Sequence, residues 1–181
     1  MAAVEPVLHD MESELPGMVC MASDELAALE RRYYMGRLEP LDEPGLTEDD
    51  GPRGGIETFR VLRFPSFRPS ISVRVEIAPS GIQLIRSVAN LMGAEHWETA
   101  IDESTLAPVA EAWRRPELWR HDRKRRLGLD GETWMLEWRD RAAYRRVESW
   151  SPDAFRWDPD VYHVGNQLLS LASQRFGVLY Y

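Results

Sequence analysis

The chain carries one cysteine, Cys20, among its 181 residues. A single thiol excludes an intrachain disulfide framework and any cysteine-rich zinc site, so no oxidising compartment is needed. Histidine is almost as sparse. His9, His96, His121 and His163 never fall at H-x₃-H or H-E-x-x-H spacing, and no metal is expected. No apolar run approaches the roughly 20 residues that span a bilayer, and the N-terminus lacks a basic segment followed by a continuous apolar one. These absences predict a cytoplasmic chain without membrane association. Catalytic signatures are missing too: there is no G-x-S-x-G, and Cys20 sits in the apolar run Met18-Val19-Cys20-Met21-Ala22 with no histidine beside it. Gly51-Pro52-Arg53-Gly54-Gly55 has the glycines of a bend but not the Lys-Ser/Thr of a phosphate loop, so no nucleotide cofactor is expected.

What is present is aromatic and acidic. Seven Trp, six Tyr and five Phe supply either a ring-rich core or interface anchors. The net charge of -8 is unevenly placed: residues 1–52 hold 13 acidic residues against three arginines, and the remainder holds 17 against 19 basic ones. An acidic end repels nucleic-acid phosphates and attracts basic partners.

Residues 1–17 are acidic and broken by Pro6 and Pro16, which predicts an irregular arm. Ser23-Asp24-Glu25 then offers a cap to a helix whose apolar face is Leu26, Leu29 and Tyr33, with Gly36 as its stop. Residues 38–55, with Pro40, Pro44 and Pro52 among acidic residues, read as a long loop. The period then becomes two. Strands are expected at 56–64, 71–77 and 82–89, a three-strand meander, with 90–102 as a connection. Leu106, Val109, Ala110 and Trp113 make the apolar face of a helix over 103–113, capped by Ser104 and ended by Pro116. Strands at 133–138 and 143–150 form a hairpin, and Asp158-Pro159 opens a last helix with the stripe Val161, Val164, Leu168, Leu171 and Ala172.

This order defines an α+β class: an antiparallel sheet, made of the meander plus the C-terminal hairpin, packed against about three helices on one face. Val73, Val75, Trp134, Leu136 and Leu168 should meet in its core. The organisation is one domain, with residues 1–55 as an acidic segment holding one helix and a long loop, and 56–181 as the core. Glu132, Glu137 and Glu148 could converge as acid and base, but charged pairing with Arg139 or Arg146 accounts for them. The cluster Arg114, Arg115 and 120–126 could meet phosphate; a pI near 5.1 and the lack of a recognition helix point away from nucleic acid.

The segments Glu57-Thr58-Phe59-Arg60, Ser72-Val73-Arg74-Val75-Glu76, Leu129-Asp130-Gly131-Glu132-Thr133-Trp134-Met135-Leu136-Glu137, Tyr144-Arg145-Arg146-Val147 with Trp150-Ser151-Pro152, and Gly165-Asn166-Gln167-Leu168-Leu169 together resemble a family of uncharacterised small bacterial proteins. The resemblance spans residues 56–172, and the LDGxxWxLE…WSP pairing is its most specific part. It implies a shared fold and carries no established activity.

The functional expectation is a non-enzymatic, cytoplasmic protein-binding domain, most concretely an immunity protein of a toxin–antitoxin pair that occludes the active site of a basic secreted toxin. Its contacts are expected from Glu39, Asp42, Glu43, Glu48, Asp49 and Asp50, with Trp97, Trp138 and Tyr144 as anchors. The alternative is a small-molecule or catalytic domain with a pocket lined by Trp97, Trp134, Trp138 and Tyr144.

Overall fold

The computed structural model describes residues 23–46, 56–90, 92–120 and 130–177. The chain divides into two compact units, Met1–Tyr33 and Tyr34–Tyr181. Helix α1 (Ser23–Leu38) starts in the first, and its last turn, from Tyr34, belongs to the second. There follow a 3₁₀ turn (Glu39–Leu41), β1 (Glu57–Pro65), β2 (Ile71–Ala78), β3 (Gly81–Asn90), β4 (Gly93–Ile101) and α2 (Glu103–Trp113). A second 3₁₀ turn (Pro116–Trp119), β5 (Glu132–Arg139), β6 (Tyr144–Trp150) and α3 (Pro159–Phe176) complete the described elements.

The fold is α+β, with one antiparallel six-stranded sheet in the order β4-β3-β2-β1-β5-β6. One strand more is present than the sequence predicts: Gly93–Ile101, expected as a connection, pairs with β3 from Ile82↔Ile101 to Asn90↔Gly93. Its charged alternation, Glu95, Trp97 and Thr99 against His96 and Glu98, is that of an edge strand wetted along much of its length.

Side-chain alternation gives the sheet two faces. On one, Phe59 and Val61 of β1, Val73 and Val75 of β2, Leu84 of β3, Trp134 and Leu136 of β5 and Val147 of β6 pack under α2 and α3. The two helices contribute the predicted stripes: Leu106, Val109, Ala110 and Trp113 are buried, as are Val161, Val164, Leu168, Leu171 and Ala172. An aromatic cluster sits here, with Phe59, Trp113, Trp119 and Trp138 in successive ring contacts at 5.7–6.4 Å.

The other face is covered as well, which corrects the expectation of helices on one side alone. Tyr34, Leu38 and Leu41, at i, i+4 and i+7, bury against Leu62 and Met135. Tyr33, expected on the buried face of the helix, is half exposed, and Gly36 lies within the helix rather than ending it. The described part of the expected loop, 38–46, is thus a strap on the sheet, with Leu38, Leu41 and Leu46 buried.

Two local features hold the sheet's ends. Gly131, at φ +152°, lies where a Cβ would come 2.3 Å from Ser151 Oγ, so the glycine of the LDG segment lets the start of β5 meet the end of β6. The N-cap of α2 is Asp102 rather than Ser104. Its carboxylate accepts from Thr105 N–H at 2.7 Å and from the Ser104 hydroxyl, and those bonds, Ser104 first, lower its pKa from 3.8 to about 2. A depressed pKa stabilises the fold above the unfolded value and is lost as pH falls through the folded one. Asp102→Ala should therefore lower the melting temperature at pH 7, and the gap to wild type should close as pH falls from about 4 towards 2. A pH series of thermal melts reads this directly.

Candidate functional site

On the strap-covered face the sheet carries charge where a core would normally be apolar. Arg60 of β1 stands in register with Glu137 of β5 and with Arg74 of β2, and all three side chains point to the same side. Arg60 and Glu137 are 0% exposed, so each must find partners inside the protein. Arg60 donates to Glu137 Oε2 from Nε at 2.7 Å and reaches the same oxygen from Nη2 at 2.6 Å. The other oxygen, Oε1, accepts from the Tyr34 hydroxyl at 2.7 Å and the Tyr144 hydroxyl at 2.6 Å. One carboxylate thus takes bonds from three elements.

The strap completes the network. Arg60 Nη1 donates to Pro44 O at 2.6 Å and to Glu43 Oε2 at 3.3 Å, and Arg74 Nη1 bonds the same Glu43 oxygen. The Ser87 hydroxyl donates to Glu43 Oε1 at 2.6 Å. Leu46 N–H donates to the Tyr34 hydroxyl at 3.3 Å, and Arg139 Nη1 donates to Leu46 O at 3.1 Å. The strap is therefore tied to the sheet by side-chain bonds at Glu43, Pro44 and Leu46 as well as by its buried leucines.

Burial first, then Glu137, raises the pKa of both tyrosines well above the ordinary value, so both hydroxyls stay protonated donors. Burial opposes the Arg60 charge, but Glu137, Tyr34 and Glu43 outweigh it and hold the guanidinium above its usual value. The ensemble is a closed, internally neutralised cluster. It has the chemistry of a latch, not of a proton-transfer site open to substrate.

One line of residues resembles a nucleophile relay: Ser87 Oγ lies 2.9 Å from His96 Nδ1, and His96 Nε2 lies 3.6 Å from Asp42 Oδ2. Ser87 is buried and its hydroxyl hydrogen is spent on Glu43, so Nδ1 is the donor of the pair. A serine that accepts from its histidine and donates to a carboxylate is not activated for attack.

The predicted contact residues separate into distinct groups. Glu39 and Asp42 are exposed, Asp42 with 87% of its side chain in solvent. Glu43 is turned inward into the Arg60–Arg74 network, a departure from its expected place on the acidic surface. Glu48, Asp49 and Asp50 lie outside the described residues. The four aromatic residues expected to line one pocket do not meet. Trp97 is on β4, its ring 4.5 Å from the Arg86 guanidinium, whose Nη1 in turn donates to Gly177 O at the end of α3. Trp134 and Trp138 lie on the helix side, the first stacked on Tyr162 and the second donating to Glu57 at 3.0 Å. Tyr144 faces the opposite side, on Glu137.

Glu132 is charge-paired across strands, as expected, but with Arg63 at 2.6 Å rather than Arg139 or Arg146; it also accepts from Trp134 Nε1 at 2.6 Å and stands apart from Glu137. Arg114 is bound by Glu57 through two bonds and Arg115 reaches Glu111 at 3.4 Å, while 121–126 lie outside the described residues. A groove of about 670 Å³ runs beside α2 over Ile77, Ile82, Leu106 and Ala110, and the Glu57–Arg114 pair forms its edge. Its lining is mixed, with Glu103, Glu111 and Arg115 beside the aliphatic side chains. Among the described residues no group of His, Cys, Asp and Glu has the arrangement of a metal site, and no helix is long and apolar enough to cross a membrane.

Sequence reasoning missed Tyr34, Arg60, Arg74 and Ser87 as a unit. The available signal was the polar alternation Thr58/Arg60 and Ser72/Arg74/Glu76, set against Phe59/Val61 on β1 and the wholly apolar Ile71/Val73/Val75/Ile77 face of β2. Comparison with protein-family models finds none that matches the chain, and comparison with curated proteins finds no relative. The resemblance over 56–172 accordingly brings no activity to this site.

Proposed function

We propose that the chain is a protein-binding domain without catalytic activity of its own, and most concretely a cytoplasmic immunity protein that occludes the active site of a basic secreted bacterial toxin. The observation that carries this reading is the fixed outward display of Glu39 and Asp42. Burial alternates along the strap, with Leu38, Leu41 and Glu43 inside and Glu39 and Asp42 outside. Asp42 holds the left-handed conformation at φ 51° between a buried leucine and a buried, ion-paired glutamate. Two exposed carboxylates carried on a backbone held by buried neighbours present negative charge at a set place on the surface. The acidic composition of residues 1–52 adds long-range attraction for a basic partner.

Neutralising the pair, Glu39→Gln with Asp42→Asn, should leave the melting temperature nearly unchanged, because exposed charges contribute little to stability. Glu48→Gln, Asp49→Asn and Asp50→Asn together, in a stretch whose prolines and glycines disfavour regular structure, are expected to leave it unchanged as well. Either set should slow association with the basic partner by about two- to tenfold at low salt and flatten its salt dependence. Stopped-flow or surface-binding kinetics with the product of the adjacent reading frame provides the check. An unchanged on-rate and salt slope would assign these acids to solubility.

A further inference from the structure

The largest apolar exposures in the sheet unit gather at one end. β1, β3 and β6 finish there, and β2, β4 and β5 begin there. The β1–β2 turn carries Phe67, 83% exposed, and the loop from β6 to α3 carries Phe155, 91% exposed; Trp157 is partly exposed in the same loop. Each phenylalanine is followed by an exposed arginine, Arg68 and Arg156. Two separate loops thus show the same pair, a bare aromatic ring beside a guanidinium.

These loops are built, not slack. Ser66 donates to Gly131 O from N–H at 2.9 Å and from its hydroxyl at 3.0 Å, and Pro65 and Pro69 restrict the turn between them. Ser151 N–H donates to Glu132 O at 2.7 Å, and Glu132 N–H returns a bond to the Ser151 hydroxyl at 3.1 Å. The stretch Gly131-Glu132 therefore joins the two loops directly. Within the second loop Asp153 Oδ1 accepts from Phe155 and Arg156 N–H at 2.8 and 2.6 Å, and Asp153 N–H donates to Trp157 O at 2.8 Å. Both ends of that loop, Ser151 and Asp158, are non-glycine residues at φ 44° and 45°. Such conformations cost stability and persist where the surroundings hold them, often at binding sites. The strands that feed the two loops, β1 and β6, flank β5, so the roots of the loops stand about two strand spacings, roughly 10 Å, apart. Beside the first Phe–Arg pair lies a pocket of about 330 Å³ over Pro65, Pro69 and Ile71, with Arg68 and the Arg63–Glu132 ion pair also in its lining.

We propose that this end of the sheet is a docking surface for an acidic protein segment with interspersed apolar side chains. Carboxylates of the segment meet Arg68 and Arg156, an apolar side chain enters the pocket over Ile71, and the partner covers Phe67 and Phe155. Aromatic and arginine side chains dominate binding energy at protein interfaces, and their fixed presentation lowers the entropy lost on binding. An anionic membrane fits less well: among the described residues only two exposed cations, Arg68 and Arg156, flank the two rings, short of the basic cluster that holds a protein on anionic lipid, whereas two guanidiniums suffice for a segment with a few spaced carboxylates. The surface is distinct from the acidic strap and does not depend on the partner being a toxin.

The test pans a phage-displayed library of random 16-residue peptides against the wild-type chain, with counter-selection on Phe67→Ser/Phe155→Ser. Recovered sequences should be enriched in Asp and Glu beside apolar residues. As synthetic peptides they should lose at least about tenfold in affinity on the double variant and on Arg68→Glu/Arg156→Glu, since a few central anchors carry most binding energy. Glu39→Gln/Asp42→Asn should bind them as wild type does, which separates this surface from the one in the proposed function. Circular dichroism melts near wild type establish that the surface variants are folded. No enrichment of acidic–apolar peptides, or affinity unchanged in the double variant, would overturn the proposal. Sedimentation of the wild-type chain with phosphatidylserine vesicles, lost in the double variant, would overturn it in favour of a lipid surface.

Discussion

Replacing Arg60 with methionine is expected to cost about 3–5 kcal/mol of stability, the range for breaking a buried ion pair from one side. The guanidinium is 0% exposed and binds Glu137, Glu43, Pro44 O and the Tyr34 hydroxyl at once. Its loss leaves the Glu137 carboxylate buried with two tyrosine hydroxyls and no cation bonded to it in the network described above, and leaves Pro44 O without its donor. Removing both charges, Arg60→Met with Glu137→Met, should cost clearly less than the two single changes added together, because the second change removes the stranded charge. Urea titrations of the four proteins in the cycle measure that coupling. Additive losses would mean that the two side chains do not act as a pair. Tyr34→Phe in the same background separates the strap's polar attachment from its leucines.

Trp134→Ala carries the second large effect, about 3–5 kcal/mol, and Leu136→Ala about 2–5 kcal/mol, by the cavities they leave. Trp134 is 2% exposed, stacks on Tyr162 at 5.8 Å between ring centres, and packs so closely on α3 that a Cβ added at Gly165 would lie 2.8 Å from its ring. The contact works in both directions. Gly165→Ala alone should destabilise by roughly 1–3 kcal/mol through overpacking. In the Trp134→Ala background the added methyl should cost little, since it enters space the ring has vacated. Wild-type-like thermal unfolding of Trp134→Ala would place the buried face of the hairpin wrongly.

The helix-side core was legible because its periods are clean. Val73 and Val75 alternate at two, Val161 to Ala172 recur at helical spacing, and nothing polar interrupts either pattern. The opposite face was hidden for the converse reason. Its buried positions include Arg60, Ser87 and Glu137, residue types that sequence reasoning assigns to solvent unless their partners are known. Those partners come from positions as distant as Glu43, Tyr34 and Tyr144, and only the strand register brings them together. The strap was concealed by its composition: Pro40, Pro44 and three acidic residues read as loop, although Tyr34, Leu38 and Leu41 already carried a helical stripe. β4 was missed because an edge strand mixes charge with aromatic residues and loses the apolar alternation that marks a half-buried strand. The acidic count of the N-terminal third was plain, but which acids face outward was not: Glu43 and Asp42 are adjacent, and the backbone turn at Asp42 sends one inside and leaves the other in water.

The proposed function meets its most direct test in an activity titration. The purified chain is added to the toxin domain expected in the adjacent reading frame, and the residual activity of that domain is followed against molar ratio. Occlusion by a rigid acidic surface predicts loss of activity that reaches completion near equimolar chain. It also predicts that Glu39→Gln/Asp42→Asn slows the onset of inhibition, most at low salt, while leaving the folded protein intact. Full activity of that domain at a several-fold excess of the wild-type chain, or a neighbouring reading frame that encodes no toxic activity, would contradict it.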